Sequence, residues 1–505
     1  MDKTAFTLIA LLLTLLGTPI QAQNTNQPSS PATTGTPDRV TDLSLPDSPS
    51  PQQSFVLPPN REAGVLPEPR TELTTEHEYS LTELIDIAER ENPETRVAWQ
   101  RARNAAIGAG VAASTYLPVI TANVLGAYQR AEGSSSGSGL TVHNSGNLFG
   151  SAETISLVWL LFDFGGRKNI VDSVRKLSHV SNIGFTRAHQ QVIYAVSIAY
   201  YIYLSAIERQ RTALQALANA KEVEAAVEAR YKHGEGTVIE TAQTRNLTAR
   251  AQLNVVNAQG AEEQAYATLL TAMGISPLTT IRIAPVKHNP LSKEDLGPAD
   301  QIVRDALARR PDVLEAYNTV QASQASVKAA QAQNRPKIFV AGTGAYVSGQ
   351  LGLTAIPAVG EQLPTLNITG NQWNGTALLG MSIPIFDGHR RANAIQQAKN
   401  DEDKAAATLN QVRLNAVREI VSAQISLRTS LAANDAASVL RATAQTSYDA
   451  TLDSYKQGVG TVTAAVEAQT YLFEAGLAEA DAYISALSSA ATLAYATGQL
   501  GSAPR

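Results

Sequence analysis

Four short segments of the chain alternate between apolar and more polar residues. Alternation with a period of two predicts β-strands that have one apolar face. We place these strands near residues 119–131 and 152–163, and again near residues 337–349 and 373–386. The positions that define them are Ile120, Ala122, Val124, Gly126 and Tyr128, then Ile155, Leu157, Trp159 and Leu161, then Ile338, Val340 and Tyr346, and finally Leu379, Met381, Ile383 and Ile385.

These strands are long enough to cross a membrane, because a tilted transmembrane strand needs about 9–11 residues. A water-soluble hairpin with one buried face has the same pattern and is the alternative. Four strands cannot close a membrane barrel, whose smallest form has about eight. In lipid, several chains would therefore have to share one barrel, since an open edge leaves backbone groups unpaired. Four aromatic residues share the apolar parity and fit a lipid–water boundary: Tyr128, Trp159, Tyr346 and Trp373.

A long helical pattern follows each pair of strands. It runs without proline from near Arg167 to Tyr231 and from near Arg391 to Tyr455. Each helix would be roughly 90 Å long at the usual rise, which is too long for the core of a compact domain. Apolar residues recur at steps of three, four and seven, as in a coiled coil, although an alanine-rich rod in water is the alternative. They are Val192, Val196, Ala199, Tyr203 and Ala206, and later Val466, Phe473, Ala480, Leu487 and Ala494.

The second half of the chain repeats the first. FDFGGRKN at 162–169 returns as FDGHRRAN at 386–393, and YKHGEGTV at 231–238 returns as YKQGVGTV at 455–462, both 224 residues later. Further upstream the displacement is 218, because Pro93 and Pro118 match Pro311 and Pro336. Two constant displacements predict a duplicated unit with one loop longer in the second copy. We assign the first copy to residues 79–274, a linker to 275–298 and the second copy to 299–505.

Local signals mark the turns and helix ends within each copy. Ser80 followed by Glu83 predicts a capping box at the start of the first helix. Residues 132–147, EGSSSGSGLTVHNSGN, and residues 349–372 are rich in turn formers and predict loops between the strands. At each helix tip, a pair of glycines is expected to supply positive φ and a threonine to cap the returning helix. These residues are Gly234, Gly236 and Thr237, and Gly458, Gly460 and Thr461.

The N-terminal residues have a different character. Residues 1–22 combine Lys3, an apolar run from Ala5 to Leu16 and a small residue at Ala22, which predicts a secretory signal peptide. A retained membrane anchor is the alternative. Residues 23–78 are rich in Pro, Ser and Thr, lack periodicity and are interpreted as a flexible tether. No other stretch has the apolar run of about 18 residues expected of a spanning helix.

Composition and charge narrow the functional classes. A net charge of −5 and a pI near 5.9 give no basic face for nucleic acid. With no cysteine, disulfides, thiolate metal sites and thiol nucleophiles are excluded. The 7 histidines are scattered, and no phosphate-binding loop or nucleophile elbow is present. We therefore expect no enzyme activity, no cofactor and no metal site.

The paired strands, the FDFGG and FDGHR segments and the Tyr-x-x-Gly helix tips together resemble the TolC-like outer-membrane efflux proteins. The resemblance covers the chain from about residue 79 to its end. It implies an α+β membrane protein: a homotrimer with a 12-stranded β-barrel in outer-membrane lipid, joined to a 12-helix α-barrel of coiled-coil helices in the periplasm. It also implies an exit duct, fed by an inner-membrane transporter through a periplasmic adaptor protein, in tripartite efflux or type I secretion. A secreted structural or adhesive coiled-coil surface protein without a pore is the alternative.

The resemblance further assigns roles to residues of this chain. It implies a periplasmic gate of Tyr455, Glu467, Glu240 and Tyr231, and an adaptor contact at the helix-tip turns named above. Two positions depart from the pattern, because Ala464 replaces an aspartate of the constriction and Gly460 replaces an arginine of the closed-state latch. The turns from strand to helix are expected at Asp163, Gly165 and Gly166, and at Asp387 and Gly388.

Replacing Glu467 with Ala is expected to lower the cation preference of the duct. Three copies of this carboxylate around one narrow axis would attract cations. Ion selectivity in single-channel recordings across a salt gradient measures this. An unchanged preference would remove Glu467 from the constriction.

Overall fold

The structure, a computed structural model, describes residues 62–65, 73–137, 140–284, 298–353, 366–369 and 371–500. The chain divides into two units, Met1–Val65 and Leu66–Arg505. In the first unit the described residues form a 3-10 turn, Glu62–Gly64. The predicted signal peptide, most of the predicted tether and the middle of the predicted linker lie outside the described residues, so these assignments stay predictions.

The elements of the second unit follow the predicted order twice. The first copy contains β1 (Glu78–Tyr79), α1 (Leu81–Glu91), α2 (Pro93–Ser114), β2 (Val119–Gly137), β3 (Leu140–Phe162), α3 (Gly166–Lys232) and α4 (Val238–Met273). After β4 (Arg282–Ile283), the second copy contains α5 (Ala299–Leu307), α6 (Pro311–Ala332), β5 (Lys337–Leu353), β6 (Leu366–Thr369), β7 (Gln372–Ser382), α7 (Arg390–Lys456) and α8 (Val462–Ala496). The two long helices, α3 and α7, have 67 residues each.

The sheet confirms the duplication at the level of register. Its strand order is β2-β3-β5-β7, with β6 paired to the far end of β5. In the first hairpin Val119 lies opposite Val158. Their counterparts 218 and 224 positions later, Lys337 and Ser382, lie opposite each other in the second hairpin. A register slip of one residue would have exchanged the two faces of the second copy.

Three of the strand and loop predictions need correction. Residues 349–372 are not all loop, because β5 continues to Leu353 and β6 spans Leu366–Thr369. Residues 132–147 are not mainly a loop, because β2 continues to Gly137 and β3 begins at Leu140. The ladder between the two strands pairs backbone groups whatever the side chains, so serine- and glycine-rich sequence is tolerated in it. The last predicted strand ends at Ser382 and not near residue 386. Pro384, which has no N–H to donate, follows this end.

The long helices pack through small and apolar side chains. In α3 the predicted seam is confirmed, since Val192, Val196, Ala199 and Ala206 are buried. In α8 the predicted seam is only partly buried, and the fully packed positions lie beside it at Ala465, Ala468, Leu472 and Ala475. The largest cluster joins α3 to α1 and α4 through Leu84, Leu269, Leu270 and Met273. Full burial of each such side chain contributes about 1.5–3 kcal/mol.

The first helix begins at the predicted capping box. The Ser80 hydroxyl accepts a hydrogen bond from the Glu83 N–H, and the Glu83 carboxylate accepts one from the Ser80 N–H at 2.8 Å. The Ser80 N–H, His77 and the Ser80 hydroxyl lower the pKa of Glu83 to about 2. The cap therefore stays formed well below neutral pH.

In both copies a short upper helix, α2 or α6, begins beside the end of a lower helix, α4 or α8. Where α4 ends, the Asn92 side chain at the start of α2 donates to the Ala272 carbonyl at 2.9 Å. Where α8 ends, Arg310 at the start of α6 donates to the Ala496 carbonyl at 2.9 Å. Arg310 also bonds to Asp312 and Glu419, each at 2.7 Å. Each upper helix thus caps the C-terminus of the lower helix that it follows in space.

Among the described residues, one helix is long and apolar enough to cross a membrane by composition, α3 (Gly166–Lys232). Of its most apolar 18-residue stretch, 44% is buried inside the structure. A packed core helix meets the same criterion, so this finding is weak support for a membrane span.

Replacing Gly274 with Ala is expected to destabilise the junction between α4 and α2. Gly274 has φ +79°, and an added Cβ would lie 2.6 Å from the Cα of Asn92. A left-handed non-glycine residue alone costs about 1–2 kcal/mol. Gly260→Ala is the matched control, because its Cβ would meet nothing within 4 Å and alanine favours a helix. Thermal unfolding followed by circular dichroism should give a lower apparent Tm for Gly274→Ala only. Equal Tm values for the two variants would contradict the close approach of Gly274 to Asn92.

Candidate functional site

The two helix tips reverse the chain with the same geometry. Gly234 has φ +78° and Gly458 has φ +82°, as the sequence predicts. Gly236 and Gly460 were expected to share this role, and that expectation is wrong, because neither lies in the left-handed region. They are needed for space instead. A Cβ on Gly236 would lie 3.0 Å from the Tyr231 nitrogen, and one on Gly460 2.9 Å from the Tyr455 nitrogen.

The threonine caps are confirmed, but the two tips differ in the residue that completes them. The Thr237 hydroxyl accepts from the Glu240 N–H at 3.2 Å, and the Glu240 carboxylate accepts from the Thr237 N–H at 2.8 Å. The Thr461 hydroxyl accepts from the Ala464 N–H at 3.3 Å. Ala464 has no carboxylate to return the bond. Glu240, a predicted gate residue, therefore also holds the first tip as half of a capping box.

The two tip tyrosines have opposite environments. Tyr455 is 2% exposed and packs against Val227 of α3 and Val462 of α8. Its counterpart Tyr231 is 44% exposed. Burial raises the pKa of the Tyr455 hydroxyl, and the nearby charge of Glu240 raises it further while Arg230 lowers it. The structure thus buries Tyr455 between α3 and α8 and leaves Tyr231 on the surface of the single chain.

Two side chains of the first tip hold the second tip. Arg230 donates from Nη1 to the Tyr455 carbonyl at 3.1 Å, and its guanidinium carbon lies 5.1 Å from the centre of the Tyr455 ring. Lys456 donates from Nζ to Glu222 at 2.8 Å. This hydrogen bond raises the pKa of Lys456. We call Arg230, Glu222, Tyr455 and Lys456 the tip clamp.

Sequence reasoning missed the tip clamp. Arg230 and Glu222 have no counterpart of the same type in the second copy, where Ser454 and Thr446 occupy the equivalent positions. Repeat comparison therefore gives no signal for either residue. Glu467, the remaining predicted gate residue, is exposed on α8 and is not part of the clamp.

The turns from strand to helix lie at the far end of the long helices. The Asp163 carboxylate accepts from the Arg167 N–H at 2.6 Å, and a Cβ on Gly166 would lie 2.8 Å from that carboxylate. The Arg167 guanidinium donates to the carbonyls of Thr115 and Leu161, both at 3.0 Å. This buried arginine ties α2, β3 and α3 together.

The second copy builds its turn with the same chemistry. Asp387 accepts from Nε of Arg391 at 2.7 Å, and Arg391 also donates to the Pro384 carbonyl at 3.1 Å. Two successive residues have positive φ in each copy: Phe164 and Gly165 in the first, and Gly388 and His389 in the second. The shared Arg167 and Arg391, spaced 224 apart, are a signal that repeat comparison offers for this anchor.

Within the described residues, no group of three or more His, Asp or Glu side chains could hold a metal ion.

The family model described as "Outer membrane efflux protein" matches residues 84–275 and 302–499, which is most of the chain. The chain belongs to this family. The family consists of channel proteins and not of enzymes.

Curated relatives and solved structures agree with the family match. This efflux protein is 26% identical over 359 residues to protein CyaE of Bordetella pertussis, covering 71% of each chain. It is 25% identical to the pyoverdine export outer membrane protein OpmQ of Pseudomonas putida, covering 64% of this chain and 65% of OpmQ. Its fold matches the CmeC outer membrane channel of Campylobacter jejuni with a TM-score of 0.70 at 19% identity, covering 90% and 94% of the two chains.

This efflux protein is therefore an exit duct of the outer membrane in an efflux or secretion system. The alternative of a coiled-coil surface protein without a pore is not supported. The solved structures that it resembles confirm the predicted fold class, a mostly helical protein with some strands.

Replacing Arg230 with Met is expected to make the duct leak. The charged hydrogen bond to Tyr455 is partly buried and contributes about 1–2 kcal/mol, so its loss should raise the open fraction roughly five- to thirtyfold. Lys232→Met is the matched control, since Lys232 is exposed on the same tip and pairs within its own helix with Glu228 at 3.9 Å. Single-channel recordings measure the open fraction. Equal values for both variants would show that the tip clamp does not hold the closed state.

Proposed function

We propose that three copies of this chain close into one continuous duct, a 12-stranded barrel in outer-membrane lipid joined to a 12-helix tunnel in the periplasm. The sheet supports this proposal. Its order leaves β2 of the first copy and β7 of the second as open edges. In lipid each unpaired edge group costs several kcal/mol, so the two edges must find partners. Pairing β7 of one subunit with β2 of the next satisfies both edges and makes a ring.

The helices have open edges on the same two sides. In the lower half α4 packs on α3, α3 on α8, and α8 on α7. In the upper half α2 packs on α3, α3 on α6, and α6 on α7. The first copy therefore ends in α4 and α2, and the second ends in α7. A head-to-tail contact that closes a sheet would close these helices as well, because heterologous contacts generate rings.

One face of the sheet is suited to lipid. Register places large apolar side chains on this face in all four long strands, and several of those on β2, β3 and β7 are exposed in the single chain. Examples are Val124 at 75%, Ile155 at 61%, Leu379 at 70% and Met381 at 63% exposed. Glu153 shares the face but lies opposite Tyr346, which lies opposite Trp373. A charge is tolerated at an aromatic level, where the membrane meets water.

The helix tips are suited to a periplasmic partner. Val459 is 82% exposed, Val238 66% and Ile239 71%, all at or beside the two tip turns. We assign this apolar end to the adaptor, which would connect it to an inner-membrane transporter. The tip turns, including Gly234, Gly236, Gly458 and Gly460, would set the shape that the adaptor meets.

We assign the gate to the same end. Tyr455 and Glu240 both lie at the helix tips, and threefold symmetry would bring three copies of Glu467 around the axis. Ala464 and Gly460 carry no charge that could latch the closed state. We therefore assign the latch to the tip clamp. Relatives are named for the export of pyoverdine and for cation efflux. Since the named cargoes differ within one fold, we assign the choice of cargo to the transporter.

The purified protein is expected to run as a trimer in SDS without heating, to become a monomer after boiling, and to conduct ions in planar bilayers. Resistance to SDS before heating is expected of a sealed barrel without open edges. Gel migration of outer-membrane fractions and bilayer conductance measure it. A water-soluble, non-conducting monomer would refute the duct.

A further inference from the structure

A cavity of about 620 Å³ lies where α8 ends and α6 begins. Residues of α3 and α7 line it together with the junction of α8 and α6. Its volume falls within the range of about 300–1,000 Å³ that is typical of small-molecule sites. We call it the junction pocket. We propose that the junction pocket binds flat aromatic anions, such as aromatic carboxylates, on the inner wall of the duct.

An aromatic pair forms part of the lining. The rings of Tyr194 on α3 and Tyr495 on α8 are stacked, with their centroids 4.6 Å apart and an angle of 17° between their planes. The Tyr194 hydroxyl lies 3.2 Å from the Thr492 hydroxyl, and this hydrogen bond holds the ring in place. Both rings are only partly buried, so they offer aromatic surface on which a flat ligand can stack.

Both carboxylates of the lining are already engaged. Arg310 donates to Asp312 from Nε at 3.0 Å and from Nη2 at 2.7 Å. The same Nη2 donates to Glu419 at 2.7 Å. The Arg310 side chain is 10% exposed, so these charge-assisted hydrogen bonds are largely shielded from water. A cationic ligand would therefore have to compete with Arg310 for either carboxylate.

One cation of the lining has no such partner. Arg187 donates to Glu315 at 3.1 Å. Arg418 is exposed on α7 and forms no ion pair within the part of the chain that the structure describes. A carboxylate ligand would gain a charge-assisted hydrogen bond from Arg418 without displacing an existing one. The unpaired charge therefore favours an anion.

The equivalent junction in the first copy lacks this chemistry. Asn92 is the counterpart of Arg310, and Thr271 is the counterpart of Tyr495. Both junctions cap the end of a lower helix, so capping alone does not require an arginine or a tyrosine there. The counterpart of Arg418 is Tyr194, so the cation belongs to α7 and the aromatic ring to α3. The junction pocket thus depends on differences between the two copies.

The junction pocket lies on the side of the long helices that is turned away from α1 and α5. On α8, Tyr495 lines the pocket, whereas Leu493 belongs to an apolar cluster with α5. On α3, Tyr194 lines the pocket, whereas Val192 and Val196 belong to the cluster with α1. Positions two apart in an α-helix point about 200° apart, to opposite sides.

That side faces the passage, a step that rests on the duct proposed above. Twelve helices spaced about 10 Å apart would form a ring roughly 40 Å across. Three copies of α1 and α5 add six helices, each about 10 Å wide, and these would fill the space inside the ring. The short helices therefore lie outside, and three junction pockets open to the passage at one level.

Calorimetric titration of the purified trimer in detergent with 2-naphthoate tests the site. Cyclohexanecarboxylate and 2-naphthylmethylammonium should bind at least tenfold more weakly, because the first cannot stack and the second lacks the negative charge. Arg418→Gln should weaken the binding of 2-naphthoate at least tenfold. Arg413→Gln is the matched control and should leave it unchanged, since Arg413 is exposed on the same helix and does not line the pocket.

A charge reversal separates loss of the site from a disturbed fold. Arg418→Glu should reverse the preference, so that 2-naphthylmethylammonium binds more tightly than 2-naphthoate. In planar bilayers, 2-naphthoate at millimolar concentration should lower the single-channel current of the unmodified protein and not that of Arg418→Gln, because the pockets line the passage.

Four results would overturn the junction pocket while leaving the duct intact. They are no binding by a trimer that conducts ions, equal binding by the two glutamine variants, tighter binding of the ammonium by the unmodified protein, and binding without a change in current. An unmodified protein that does not conduct would instead overturn the proposed function.

Discussion

A strand in lipid has no water to satisfy the backbone groups along its free edge, and this constraint underlies the assembly that we propose. One chain supplies a sheet with two free edges, β2 and β7, and a set of helices with free edges on the same two sides. In the proposed trimer, neither the sheet nor the set of helices is complete in a single subunit. Because the strands continue into the long helices through the Asp163 and Asp387 turns, closing one layer fixes the neighbours in the other.

Duplication gives the chain two similar units, and the sequences of the two copies differ at the helix tips. The tips share glycines, threonine caps and tyrosines, yet only Tyr455 is buried beneath an arginine from the other tip. Glu240 completes the cap of the first tip, and Ala464 leaves the second without that support. The second tip is therefore held by the first more than by its own turn. In the proposed gate, this asymmetry would let the second tip be released while the first tip stays folded.

Much of the fold is legible in the sequence because its signals are periodic. The strand alternation, the proline-free helices and the two displacements of 218 and 224 predicted every long element and its copy. The errors occur where tertiary pairing outweighs local preference. Residues 132–137 and 140–147 are strand because a partner strand supplies their hydrogen bonds, although Ser and Gly favour turns.

The candidate site was less accessible to sequence reasoning. Gly236 and Gly460 are required by the close passage of the Tyr231 and Tyr455 backbones, which no local pattern encodes. Arg230 and Glu222 form hydrogen bonds with residues 225 and 234 positions away in the sequence. Neither residue type is repeated at the equivalent position of the second copy. The oxygen and nitrogen atoms that they join become neighbours only after the helices pack. Asn92 and Arg310 join two helices end to end in each copy, α4 with α2 and α8 with α6. In the proposed duct, the upper helix would follow the direction of the strands and the lower helix the coiled coil. The tunnel would therefore change its curvature at this junction without a kink inside any one helix.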